Sequence, residues 1–382
     1  MPSLRSVLVQ RVQRVGVVTR VVLVLVVAVT SAAVAVALVG WFRPPDRSAA
    51  AAAPVPSATP TAASTPTADG LGSRLSVFRP LVLGSTVPAG ERPTPDEPST
   101  VDLATTWVAP SDMPQTGRLL HVSIPGTTSH FTARDALLYL PPAALVADPP
   151  PLPVAVVMPG QSRGSGPDDL QNGGHIEQTM DAIAELHRGL TPIVVVPDQL
   201  GPESGNPMCV DGPLGNSRSY LEHDVPAWIT SHLRVQTGAA AWTIGGFSQG
   251  GTCAIQLGAG DPDRFGNIID VSGELGPSLG DPARTIARGF SGNAAAYRAA
   301  QPLAVMARHG HYASTWAFFT AAQLDTHYGP AMPVVAERAA AVGMHVTRWV
   351  LPGARHNWTM ARAAIAAGMA WLEPHVGLAP AG

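Results

Sequence analysis

Between Leu152 and Leu351 the chain keeps returning to one pattern. The runs LPVAVVM, TPIVVVP, AAAWTI, GNIIDVS, TWAFFTA and HVTRWVL are short apolar stretches, the first three almost without a polar residue, and helical sequence separates most of them. A strand with one wet face alternates apolar and polar residues, whereas a strand apolar on both faces has to be covered on both. The intervening segments have the matching character. In GGHIEQTMDAIAELHRGL the residues Ile176, Met180, Ile183 and Leu186 share one helical face, and in YLEHDVPAWITSHL the residues Leu221, Val225, Trp228 and Ile229 do the same. This alternation predicts an α/β body with a mostly parallel central sheet and helices on both faces. RLLHVSI and ARDALLYL, separated by the turn-forming PGTTSH, predict an antiparallel start, so the body is expected to span residues 118–377.

One predicted strand runs straight into Thr243-Ile-Gly-Gly-Phe-Ser-Gln-Gly-Gly-Thr-Cys-Ala254, which sets a single serine between two pairs of glycines. A sharp strand-to-helix turn holds its central residue in a strained conformation. It also brings the residues two places away so close to the neighbouring backbone that only small side chains fit. Such a turn lifts the Ser248 hydroxyl clear of the sheet edge and aims a helix N-terminus at it, which suits a nucleophile whose attack creates an oxyanion.

A hydroxyl needs a base to become nucleophilic at neutral pH, and the base needs a carboxylate to orient it. His356 lies in PGARHNWTM, between the last predicted strand and the last predicted helix, and is the expected base. Asp325 in AQLDTHYGP is the first carboxylate after TWAFFTA and is the expected acid. Glu337, inside a predicted helix, and Asp270, at the end of an earlier strand, are the alternatives. The oxyanion requires two N–H donors. These are expected to be the amide of Gln249, directly after the nucleophile, and that of Gln161 in PGQSRG, the loop that follows VAVVM. His309 and His311 form an HGH pair, but with no carboxylate or cysteine beside them they read as a solvated loop, and no metal or cofactor is expected.

These residues in this order resemble the putative-esterase branch of the α/β hydrolases, which also contains bacterial mycolyltransferases and feruloyl esterases. The likeness is greatest to exported or membrane-anchored actinobacterial members. It runs from about Arg118 to the C-terminus through LLYLPPAAL, PIVVVPDQ, NPMCVDGPLGNSRSYLEHDVPAWI, GGFSQGGTCAIQL, VSGELGPSLGD and GMHVTRWVLPGARHNW. The resemblance implies an α/β-hydrolase fold, an ester substrate, and Ser248, Asp325 and His356 as nucleophile, acid and base. The two cysteines, Cys209 and Cys253, fit the same picture, because a bridge between them would brace the rim around the nucleophile.

The N-terminal third has a different composition. Arg5, Arg11, Arg14 and Arg20, with no acid among them, precede the charge-free run Val21–Phe42. At a helical rise of ~1.5 Å per residue that run spans the ~30 Å core of a bilayer. The expectation is a cytoplasmic basic segment (1–20), a transmembrane signal anchor (21–42), and a Pro/Ala/Thr-rich, mostly disordered linker (43–117) that tethers the body outside the cytoplasm. Secretion after cleavage is the alternative. Beyond residue 69 the chain holds 18 Arg against 25 acids, with no lysine anywhere. A mildly acidic body without a basic stripe argues against a nucleic-acid partner. The sequence therefore reads as a membrane-tethered serine carboxylesterase acting on an ester, with an envelope lipid or glycolipid as the candidate substrate. The alternatives are a mycolyltransferase-like acyltransferase using the same acyl-enzyme and a non-catalytic envelope-binding protein of the same fold.

Overall fold

The computed structural model describes residues 100–161, 165–202 and 205–380. The basic segment 1–20, the run Val21–Phe42 and the linker as far as residue 99 lie outside the described residues. Among the described residues no helix is long and apolar enough to cross a membrane.

Eight strands form one sheet: β1 (Arg118–Val122), β2 (Ala136–Leu140), β3 (Val154–Met158), β4 (Ile193–Val196), β5 (Trp242–Phe247), β6 (Asn267–Val271), β7 (Trp316–Ala322) and β8 (His345–Leu351). Their spatial order is β1-β2-β4-β3-β5-β6-β7-β8. β2 pairs antiparallel with both β1 and β4, and every pair from β4 to β8 is parallel. The main helices are α1 (Ile176–Leu186), α2 (Val225–His232), α3 (Gln249–Gly260), α4 (Pro282–Gly289), α5 (Ala294–Ala299), α6 (Pro302–His309), α7 (Ala331–Ala341) and α8 (Trp358–His375).

All residues of β3, β4, β5 and β6 are buried, as strands covered on both faces require. Successive residues of β6 show which helix covers which face. Ile268 packs under Gly258 of α3, while its neighbour Ile269 packs under Gly368 of α8. Both helices carry a glycine where they cross the sheet, because a Cβ there would stand 2.6 Å from Ile268 Cγ1 or 2.8 Å from Ile269 Cγ2. The helices therefore lie closer to the sheet than an alanine would allow.

Two expectations need correcting. The ordered body begins upstream of residue 118, at least by Val101, whose N–H donates to Gln236 Oε1 at 3.1 Å. Trp107 is buried, with its indole N–H on the Arg188 carbonyl at 3.0 Å, and Arg188 Nη1 returns a bond to the Trp107 carbonyl at 2.7 Å. Residues 100–117 thus belong to the body and not to the linker, although they directly follow a proline-rich stretch. In α1, Ile176, Met180 and Ile183 are buried as expected, but Leu186 is 79% exposed and Ala184 is buried in its stead. Leu186 lies at one edge of the apolar arc, in the last turn, and Ala184 at the other.

The chain progresses from β3 to β4 on one side of β3 and then returns to place β5 on the other. Loops leaving the carboxyl ends of β3 and β5 therefore diverge, and the crevice between them is where open α/β sheets bind ligands. At the opposite end, Glu373 in the last turn of α8 is fully buried and accepts from Thr191 Oγ1 at 2.9 Å. Its second oxygen has no partner among the described residues. Burial pushes its carboxyl up to about 8 from an ordinary 4.5. The folded protein accordingly keeps a proton that the unfolded chain releases. The stability this group contributes is complete below pH 4.5 and is lost as pH rises through 8. Glu373→Gln should be more stable than wild type by a margin that widens from pH 5 to pH 8, at no more than about 1.4 kcal/mol per pH unit, in urea titrations. A margin independent of pH would contradict this account.

Candidate active site

The turn between β5 and α3 is as tight as its glycines imply. Ser248 has φ 57° and ψ −117°, in the region costly for a residue with a side chain, and its N–H donates to the Val271 carbonyl at 2.8 Å. A Cβ on Gly246 would stand 2.5 Å from the carbonyl carbon of Gly250 and 2.7 Å from the Met158 oxygen. One on Gly250 would stand 2.5 Å from the Pro159 oxygen. The backbone at the end of β3 is therefore pressed against both flanks of the turn, and this contact holds Ser248 in its strained position.

His356 reaches Ser248 from the loop after β8. Its Nε2 lies 2.9 Å from Ser248 Oγ, and its Nδ1 lies 3.1 Å from Asp325 Oδ2. The loops that carry the acid and the imidazole are fastened together: Gln323 N–H donates to the Leu351 carbonyl at 3.0 Å, Leu324 N–H to the Ala354 carbonyl at 2.9 Å, and Gly353 N–H to Gln323 Oε1 at 2.8 Å. Asn357, next to the histidine, caps α8 by accepting from Met360 N–H at 3.0 Å, which fixes where the loop ends. The imidazole is stacked on Phe247 at 4.8 Å and packed by Tyr328 at 4.5 Å between ring centroids, so little rotation is left to it.

The charges are set by the same contacts. Burial would raise the Asp325 carboxyl, but the amides of Tyr328 and His327 and the facing imidazole outweigh it and hold the group below its ordinary value. Burial lowers His356 below 6.5, and the pull of Asp325 opposes this without cancelling it. At neutral pH the ring is thus neutral. With Nδ1–H turned to Asp325, Nε2 presents a lone pair to the serine hydroxyl, so the arrangement can take the hydroxyl proton as Oγ attacks.

The two expected oxyanion donors flank Ser248. Gln249 opens α3. Gly160 brings the other loop alongside, since its Cβ would lie 3.1 Å from Ser248 Cβ, and Gln161 is the next residue. Among the described residues neither the Gln249 nor the Gln161 amide donates to a protein acceptor. Cys209 and Cys253 form a disulfide with Cα atoms 5.6 Å apart, both ends buried. It ties the first turn of α3 to the loop that follows β4.

The alternative acids lie elsewhere. Glu337 is an exposed residue of α7, 3.6 Å from Arg348. Asp270 is buried beneath α3, accepts from Gly273 N–H at 2.8 Å, and is raised to about 7 by burial. After β6, the residues Gly276, Pro277 and Ser278 line a narrow crevice beside Gln249 with Met208 and Glu274. Phe290 and Tyr297 pack edge-on against each other at 5.5 Å. Sequence reasoning passed over the aromatic clamp of Phe247 and Tyr328. The one available signal was Tyr328 three residues after Asp325, where its amide can close back on the carboxylate.

A family model described as Putative esterase matches residues 132–344, more than half of the chain. An uncharacterised protein of Corynebacterium glutamicum is 34% identical over 313 residues, covering 79% of this chain and 72% of its own length. Among solved structures, an S-formylglutathione hydrolase from Agrobacterium tumefaciens superposes with a TM-score of 0.56 at 18% identity, over 69% of this chain and 97% of its own. A ferulic acid esterase superposes with the same score at 15% identity, over 70% and 100%. At those identities the superpositions speak for the fold alone, and the family match carries the assignment. The chain belongs to the Putative esterase family, and its body has the fold of esterases and serine hydrolases.

Proposed function

We propose that the protein is a serine carboxylesterase tethered to the membrane with its catalytic body outside the cytoplasm, and that Ser248, His356 and Asp325 form its catalytic triad. The observation that carries this reading is the continuous line from Asp325 Oδ2 to His356 Nδ1 at 3.1 Å and from His356 Nε2 to Ser248 Oγ at 2.9 Å. His356 takes the proton as Oγ bonds to the ester carbonyl carbon, and the amides of Gln249 and Gln161 receive the resulting oxyanion. The imidazolium then protonates the departing alcohol as the C–O bond breaks, leaving an acyl-enzyme on Ser248. Water repeats the sequence, releasing the carboxylic acid and restoring the hydroxyl. The names of the two fold neighbours, a hydrolase and an esterase, agree with this reaction class. The location is supported by the charge-free run Val21–Phe42 behind four arginines and by a disulfide, which persists mainly outside reducing compartments.

Wild type should release p-nitrophenol from short-chain esters, and Ser248→Ala should lose at least about 10³-fold in kcat. An inert wild type, or an unchanged Ser248→Ala, would sink the reading. Turnover that requires a sugar acceptor such as trehalose would turn it toward acyl transfer, and a full-length chain recovered in the soluble fraction would overturn the tether.

The pH profile follows from the state of His356. Only the neutral ring accepts the serine proton, so kcat/KM should rise with pH through a midpoint below 6.5 and stay level to pH 8. Asp325→Asn removes the charge that pulls the ring upward and fixes its tautomer. It should lower kcat by about 10³- to 10⁴-fold, while Glu337→Gln leaves kcat unchanged. A midpoint above 7, or equal losses in the two variants, would point to another base or acid.

A further inference from the structure

The loop that leaves β4 carries two buried carboxamides, Gln199 and Asn206, and neither belongs to the triad. Gln199 Nε2 donates to the Pro159 carbonyl at 2.7 Å and to Gln249 Oε1 at 2.8 Å. Gln249 Nε2 donates to Asn206 Oδ1 at 3.3 Å. Asn206 Nδ2 donates in turn to Gln161 Oε1 at 3.1 Å and to the Ser278 carbonyl at 3.4 Å.

The direction of this chain is fixed by the backbone. Pro159 O and Ser278 O can only accept, and Met208 N–H, 3.1 Å from Asn206 Oδ1, can only donate. Turning over the Gln199 or Asn206 carboxamide would set like against like at one of these three points, so neither has an alternative orientation. The side chains of Gln249 and Gln161, whose amides flank Ser248, are thereby joined through one buried hub, Asn206, and Gln199 fastens the carbonyl two residues before Gln161. The close backbone contact of Gly246 and Gly250 with the end of β3 fixes the turn itself, and the carboxamides add a second tie between the loop that carries Gln161 and the N-terminus of α3. A misplacement of ~1 Å at such donors can cost about 100-fold in rate.

Resting on the esterase reading above, we propose that Gln199 and Asn206 are positioning residues that set the spacing of the two oxyanion-binding amides, with Asn206 as the hub. None of their hydrogen bonds goes to Ser248, His356 or Asp325.

The test compares wild type, Asn206→Ala, Gln161→Ala and the double variant on a p-nitrophenyl ester, at a temperature where circular dichroism shows all four folded. Asn206→Ala should lower kcat 10- to 100-fold with KM within about twofold, and should weaken inhibition by an alkyl boronic acid, a tetrahedral mimic, by a similar factor. Because Gln161 is tied to the hub through its side chain, the double variant should be little worse than Asn206→Ala alone. Gln199→Ala, which frees the Pro159 carbonyl, should show the same split between kcat and KM. A purely structural role predicts lower melting temperatures with kcat and boronate inhibition unchanged, and that result, or losses that simply multiply, overturns the proposal. A wild type inert to both ester and boronate overturns the esterase reading as well, whereas an active wild type with fully active Asn206→Ala overturns the positioning role alone.

Discussion

The site depends on how closely two pieces of backbone approach. The carbonyls of Met158 and Pro159, at the end of β3, lie against Gly246 and Gly250 so tightly that neither glycine could carry a Cβ. Because the parallel strands β3 and β5 are adjacent and their connections leave in opposite directions, this is also the point where the sheet opens a crevice. The contact forces the chain to turn at Ser248 with a positive φ, brings Gly160 beside that serine, and starts α3 directly behind it. A larger residue at 246 or 250 would relax the turn and move the hydroxyl, the helix N-terminus and the neighbouring loop together.

The remaining chemistry comes from the far side of the sheet and depends on a different kind of constraint. Asp325 and His356 follow β7 and β8, and the bonds among Gln323, Leu324, Leu351, Gly353 and Ala354 lock the two loops into one unit. Phe247, the last residue of β5, stacks on the imidazole, so the strand that leads into Ser248 also limits the motion of the ring facing it. Burial keeps that ring neutral, while three donors keep the carboxylate ionised despite burial. The pair is therefore poised to accept a proton and to stabilise the resulting cation.

Much of this could be read from the residues, for identifiable reasons. A strand apolar on both faces has few alternatives to a covered parallel sheet, and glycines around a serine at a strand's end have a steric meaning that survives any particular packing. The order of Ser248, Asp325 and His356 is local to strand ends, so the three could be singled out before the loops were seen to meet. Residues 100–117 were grouped with the linker because they follow a proline-rich stretch and show no strand or helix periodicity, whereas their attachment depends on one tryptophan, Trp107, and a distant carbonyl at Arg188. Leu186 was misplaced because it sits at the edge of the apolar arc, where periodicity alone does not decide between it and Ala184 on the opposite edge. The line of carboxamides through Gln199, Gln249, Asn206 and Gln161 left no trace in the sequence. It exists only where loops from three strands converge, and amide side chains are common in loops that do nothing of the kind.

The central claim is geometric: an oxygen bound to the carbon or phosphorus on Ser248 Oγ should point into the gap between the amides of Gln249 and Gln161. A crystal structure of the protein after reaction with an alkyl fluorophosphonate measures this directly. The account predicts phosphorus on Ser248 with its unesterified oxygen about 2.7–3.1 Å from both N–H groups. An adduct on another residue, or an oxygen held by neither amide, would contradict it.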